Sequence, residues 1–138
     1  MDIDKLKEFA TRYTAAWCSQ DAASVSAFFA EDGSLAVNDD SPAVGRDAIT
    51  EVAQGFMTAF LDMEVRMDAV EIQADQIFYR WTLTGTNAGP GGTGNAVRIS
   101  GYEDWKIGAD GLIAESKGHF DDAEYQHKLE HGVGASLQ

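Results

Sequence analysis

Glu103 is a lone carboxylate in a row of apolar residues. Along 95–107, alternate positions read Val97, Ile99, Gly101, Glu103, Trp105 and Ile107, against Arg98, Ser100, Tyr102, Asp104 and Lys106. A strand turns successive side chains to opposite faces, so the first set is expected to face a core. An ionised carboxylate is so costly to bury that it either protonates or finds donors. Held there, it works as a neutral hydrogen-bond donor or as a poised acid. The competing reading is a place at the strand's edge, or a slip of one residue, which would return it to solvent.

Two further features could share a site with it. Tyr13 falls on an apolar stripe, and a buried tyrosine hydroxyl requires a partner. A backbone carbonyl is the commoner one, but Glu103 is available. The stretch after Gly111 places Leu112, Ala114, Ser116, Gly118 and Phe120 on one face. Small side chains on the concave side of a sheet leave volume for a ligand. Large residues, Trp17, Phe56, Phe60 and Trp105, either fill that volume or line it.

Other motifs carry less. Gly89-Pro-Gly-Gly-Thr-Gly94 lacks the Gly-Lys-Ser/Thr ending of a phosphate loop and separates two strands, so it reads as a hairpin loop. His127 and His131 have a chelating spacing, but no third ligand is specified. No metal or other cofactor is expected. A single cysteine, Cys18, excludes an internal disulfide and reads as a free, half-buried thiol in a reducing compartment. The net charge of −13, from 23 acidic and 10 basic residues, argues against nucleic acid and anionic membranes as partners. No apolar run is long enough to span a bilayer, and the N-terminus lacks the pattern of a signal peptide, so a cytoplasmic location is expected.

The elements that must position these residues follow from periodicity. Ile3, Leu6, Phe9, Tyr13, Ala16 and Trp17 define one face of a first helix. Asp21 caps a second, carrying Val25, Phe28 and Phe29 and ending at Glu31-Asp-Gly33. A short strand over 34–38 runs into a turn at 39–42. Gly45 opens a third helix with Ile49, Val52, Ala53, Phe56 and Phe60 inward. Period-two patterns predict strands over 63–73, 76–86, 95–107 and 112–121, with a hairpin turn at Asp110-Gly111. A last helix covers 123–131. At 138 residues, with 44% hydrophobic, the chain can bury one core. The expectation is a single α+β domain over 1–131 with a flexible tail over 132–138: a curved antiparallel sheet with three N-terminal helices on its concave face.

Several strings in this order resemble the nuclear transport factor 2-like, or cystatin-like cone, superfamily, and within it SnoaL-like proteins and ketosteroid isomerases. They are Arg12-Tyr13, Trp17, Asp21 and Phe28-Phe29-Ala-Glu-Asp32, then Gly45-Arg-Asp-Ala-Ile49, Tyr102-Glu-Asp-Trp-Lys-Ile107, Asp110-Gly-Leu-Ile113 and Phe120-Asp121. The resemblance implies a cone-shaped pocket for a small apolar ligand. Ketosteroid isomerase uses a carboxylate base and an oxyanion hole built from a tyrosine and a protonated acid. By resemblance the tyrosine falls on Tyr13 and the acid on Glu103, with Asp39 the nearest carboxylate to the expected base. The acid/base aspartate that SnoaL-like cyclases and limonene epoxide hydrolases carry on the last strand falls on Gly118. The hydrolases' Arg-x-Asp meets Arg80-Trp-Thr82, and Asn38 matches their water-holding asparagine. The resemblance also implies a homodimer through the face bearing Arg98, Ser100, Tyr102, Asp104, Lys117 and His119. Two functions stay open. One is an isomerase- or cyclase-type acid/base enzyme using Tyr13, Asp39 and Glu103, with Trp17, Asn38, Phe56, Phe60, Trp105, Ser116, Gly118 and Phe120 around the ligand. The other is a non-catalytic pocket or dimerisation module.

Overall fold

The computed structural model describes residues 2–38, 40–74, 76–89 and 91–132. Asp39 and 133–138, all of the expected tail except Gly132, lie outside them. Helix α1 spans Ile3–Cys18, and the Asp2 carboxylate caps it by accepting from the Lys5 N–H at 2.8 Å. Its buried face is Leu6, Phe9, Ala10, Tyr13, Ala16 and Trp17, as the spacing requires; Ile3, at the first turn, is exposed. Helix α2 is short, Ala22–Ser26.

Strand β1 begins earlier than the pattern suggests, covering Phe29–Val37. The charged Glu31-Asp-Gly33 thus continues a strand instead of ending a helix. Phe29, completely buried at its start, outweighs the local turn signal. A two-residue strand β2, Ala43–Val44, pairs with β1 before helix α3, Arg46–Ala59, which buries Ile49, Ala53 and Met57. The Arg46 guanidinium donates to the Phe29 carbonyl at 2.9 Å and ties the start of α3 to β1.

Four strands and a last helix complete the chain: β3 (Glu64–Gln73), β4 (Gln76–Thr86), β5 (Ala96–Ile107), β6 (Ile113–Phe120) and α4 (Asp122–His131). They form one curved, unclosed sheet in the order β2-β1-β6-β5-β4-β3. The sheet is mixed rather than antiparallel throughout, because β1 pairs with β6 in parallel while the other four pairings are antiparallel. The first and last strands are joined by the intervening helix and meander, so they can lie side by side and run in the same direction.

Two sequence expectations change here. An irregularity in the β5–β6 ladder sets Ile107 opposite Ile113 and Lys106 opposite Glu115, leaving Ala114 as the extra residue. The bulge flips the inward set: Ile113 is fully buried and Ala114 exposed, whereas Ser116 and Gly118 keep the inward face. Cys18 is exposed, not half-buried, although its sulfur still accepts from the Val65 N–H at 3.2 Å.

Candidate functional site

Glu103 lies on the inner face of β5, 7% exposed. Its neighbours across the sheet are Tyr79 on β4 and Gly118 on β6. Three donors converge on one of its oxygens, Oε1: the Ser116 hydroxyl at 2.6 Å, the Tyr13 hydroxyl at 2.9 Å and the Trp105 indole N–H at 3.2 Å. Each comes from a different element, α1, β5 and β6, so the fold converges on this atom. Oε2 makes no hydrogen bond to any described residue. It is not among the described atoms sealed from solvent without a partner, and Glu103 forms part of a cavity wall. Oε1 is thus held by three donors and Oε2 is left without a partner among the described residues, while the Glu103 side chain forms part of the cavity wall.

Burial raises the Glu103 pKa above the ordinary carboxylate value, and the bonds from Ser116, Trp105 and Tyr13 pull it back in part. Desolvation prevails because no cation is set against the carboxylate. Tyr13 is completely buried, and its pKa rises well above the normal tyrosine value, first through burial and then through the charge of Glu103. Its hydroxyl therefore stays protonated and is committed to Oε1. Tyr79 stacks on Trp105 with ring centroids 4.8 Å apart, and its hydroxyl is 2.5 Å from that of Thr14. This packing holds the indole in line with Glu103.

The cavity lies between the sheet and the helices. About 70 Å³ of its interior is open to the centre of a water molecule, which at 10–15 Å³ each is room for roughly five to seven water-sized groups. Val52, Val65, Leu35 and Leu83 supply aliphatic wall, and no basic residue lines it among the described residues. Of the sequence candidates, Trp17, Phe56, Glu103, Gly118 and Phe120 border this space. Tyr13, Trp105 and Ser116 stand behind it and grip Glu103. Phe60 is packed fully into the core next to Gly85. Asn38 has φ +51°, and its side-chain oxygen accepts from the Phe120 N–H at 2.9 Å, which fixes the end of β1 against β6. The rings of His127 and His131 are 4.6 Å apart, with no third ligand beside them among the described residues.

Three aromatic cavity residues escape the sequence reading. Tyr79 and Trp81 sit on β4, and Tyr125 on α4. Tyr125 is half-buried against Phe120 at 5.4 Å, its hydroxyl makes no hydrogen bond to a described residue, and burial raises its pKa. It is thus a neutral, uncommitted donor. The β4 alternation could have indicated Tyr79 and Trp81, since Ile77, Tyr79, Trp81 and Leu83 recur every second residue. Nothing in the polar helix α4 marks Tyr125.

A curved sheet wrapped on helices, with a buried carboxylate in an apolar cavity, defines a cone-fold pocket protein. Residues 10–116 match the model of the SnoaL-like domain, and the chain belongs to that family. Among solved structures it is similar to a Catenulispora acidiphila protein with a ketosteroid isomerase-like fold, crystallised in complex with trimethylamine (TM-score 0.78, 13% identity, covering 94% of this chain and 97% of the other). It is similar also to TsrD from Streptomyces laurentii (TM-score 0.79, 16% identity, 96% and 99%). A third is SalBIII, an epoxide hydrolase/cyclase-like enzyme of pyran ring formation in the polyether salinomycin (TM-score 0.76, 17% identity, 89% and 95%). At these identities the likeness shows the shared fold. No curated protein matches significantly. Among the described residues no helix is long and apolar enough to cross a membrane.

Proposed function

We propose that this chain is a cofactor-independent acid/base enzyme of isomerase or cyclase type, acting in the cytoplasm on a small, largely apolar carbonyl compound. The observation that carries this reading is the asymmetry of Glu103 in the wall of an apolar cavity: Oε1 is held by three donors, and Oε2 has no partner among the described residues. A base that needs no reorganisation and sits out of water is effective in proton transfer. Oε2 takes a proton from the carbon beside the carbonyl. The C–H electron pair moves into the adjacent carbon–carbon bond, and the carbonyl pair onto oxygen. Glu103 then returns the proton at another carbon. The Tyr125 hydroxyl is the available donor for the enolate oxygen, while Tyr13 acts as a positioning residue. By resemblance the family's last-strand acid falls on Gly118, the residue opposite Glu103. The carboxylate would then reach the same space from the neighbouring strand. Asp39, the base suggested by resemblance, lies outside the described residues.

The test uses cyclohex-3-enone, a one-ring ketone of the cavity's size, with conversion to the conjugated enone followed by ultraviolet absorbance. Wild-type protein should accelerate it, and Glu103→Gln should lose about 10²–10⁴-fold, the range for a general acid or base. A variant as fast as wild type would overturn the assignment. One observation favours the second reading, a non-catalytic ligand-binding module: the Tyr13 hydroxyl is already spent on Glu103. Equal affinities for phenol and benzene in wild type and Tyr13→Phe, without turnover, would decide for it.

The homodimer is part of the same proposal. On the outer face, Phe78 meets Tyr102 at 5.8 Å, Tyr102 meets His119 at 4.9 Å, and the Arg80 guanidinium lies 5.7 Å from the Tyr102 ring centre. A partly exposed aromatic ladder of this kind is suited to cover by a second copy. A monomer by light scattering at micromolar concentration would remove the dimer.

A further inference from the structure

The cavity wall has an unusual composition. Six of its side chains are aromatic: Trp17, Phe56, Tyr79, Trp81, Phe120 and Tyr125. They come from α1, α3, β4, β6 and α4, so the rings surround the space rather than form one side of it. Trp17 and Phe56 pair edge to face at 6.2 Å, and Trp81 and Phe120 do so at 6.0 Å. Among the described lining residues Glu103 is the sole carboxylate, and no lysine, arginine or histidine balances it.

An acid placed alone among aromatic rings creates a site of one electrostatic sign. Ring faces carry negative potential and attract a cation most strongly when it is desolvated. The Glu103 carboxylate in the wall adds a formal charge when ionised. For a neutral ligand, the same wall offers only apolar contact and leaves that charge without a counter-ion. The excess of 13 negative charges on the chain adds a field that concentrates small cations near it. The space admits a headgroup of several heavy atoms.

We propose that the cavity selects a small organic cation, a tertiary or quaternary ammonium whose nitrogen sits among the aromatic rings with Glu103 as its counter-ion. This rests on the cavity of the proposed reaction and makes a carbonyl compound that carries such a nitrogen its preferred substrate, ahead of an uncharged ketone. The cation has a chemical consequence there. By favouring the ionised form of Glu103, it offsets part of the cost that burial places on the base.

The experiment compares choline with 3,3-dimethylbutan-1-ol, its uncharged carbon isostere, by isothermal titration calorimetry at mildly alkaline pH. The wild-type protein should bind choline at least tenfold more tightly than the alcohol. Glu103→Gln should bring the two within about threefold, and its fold is checked by near-ultraviolet circular dichroism. Should that variant unfold, Trp17→Leu serves instead and should weaken choline several-fold while sparing the alcohol. Equal affinities in wild type, preference for the alcohol, or no binding of choline at millimolar concentration would each overturn the proposal. Turnover of cyclohex-3-enone is measured on the same samples. Loss of the choline preference with turnover intact refutes the cation alone, whereas absent turnover with the preference intact refutes the reaction alone.

Discussion

Ser116→Ala isolates the hydrogen bond that does most to keep Glu103 ionisable. Ser116 is 1% exposed, and its hydroxyl donates to Oε1 at 2.6 Å, the shortest of the three bonds there. It is also the largest of the influences that lower this group's pKa. A hydrogen bond to a charged group is worth about 1.5–3 kcal/mol, against about 0.5–1.5 kcal/mol for a neutral one. The variant therefore loses about 1–1.5 kcal/mol more from the carboxylate than from the carboxylic acid. At 1.36 kcal/mol per pH unit, the Glu103 pKa should rise by about one further unit. The assay is a titration of protein carrying ¹³C-labelled glutamate side-chain carboxyls, with Glu103→Gln identifying the resonance. The alkaline movement should reappear as an equal displacement of the limb in the pH–rate profile that reports ionisation of the base. Tyr13 and Trp105 still hold Oε1 in the variant, so the fold should survive. A pKa that stays put or falls in the folded variant would refute the argument that donors to Oε1 tune the base.

Glu103→Gln should reveal the linkage of this buried acid to folding. A carboxyl whose pKa is raised in the folded state contributes stability fully below its unfolded value and loses it as pH rises through the folded one. In denaturant unfolding the glutamine variant should therefore gain on wild type from pH 4 to pH 7, and a constant difference would contradict the raised pKa. Gly101→Ala should be the most damaging small substitution in the sheet, because a Cβ there collides with the His119 carbonyl and comes within 2.7 Å of the Trp81 ring. Loss of several kcal/mol or failure to fold is expected, to be compared by thermal melting with Gly118→Ala. The Gly118 Cβ would meet only the Ala36 carbonyl at 3.2 Å and Glu103 Cγ at 3.9 Å, so its cost should be about 1 kcal/mol, as for modest overpacking. Tyr13→Phe should destabilise the protein by about 1–2 kcal/mol, since it removes a buried bond to a group that retains two other donors.

Much of the fold was legible because the dominant patterns are long. The four late strands span eight to twelve residues each, and their alternation identifies them to within about two residues. The losses are local. The β5–β6 bulge inverts the facing of Ile113 and Ala114, and a period-two reading carries no information about where a residue is skipped. The start of β1 was hidden for the opposite reason, a charged tripeptide that looks like a helix stop and lies in a strand. The parallel β1–β6 pairing depends on the closure of the whole sheet, which no local signal encodes.

For the site, the contrast between Glu103 and Tyr125 shows where sequence reasoning ends. Glu103 declares itself because a charged residue on an apolar face is an energetic anomaly that needs compensation. The compensation itself is tertiary: Tyr13 and Ser116 reach Oε1 from 90 and 13 residues away. Facing predicts that these residues turn inward, but not that their hydroxyls are consumed by the carboxylate instead of being offered to a ligand. That distinction changes their chemistry, from donors for a reacting oxygen to braces for a base. Tyr125 is no anomaly on its own helix, which is polar and has no fully buried residue. It joins the cavity only because α4 folds back so that its ring meets Phe120 at the end of β6. A group that is ordinary in its own element and unusual only in its surroundings is visible in three dimensions alone, and here that group is the uncommitted hydroxyl on the cavity wall.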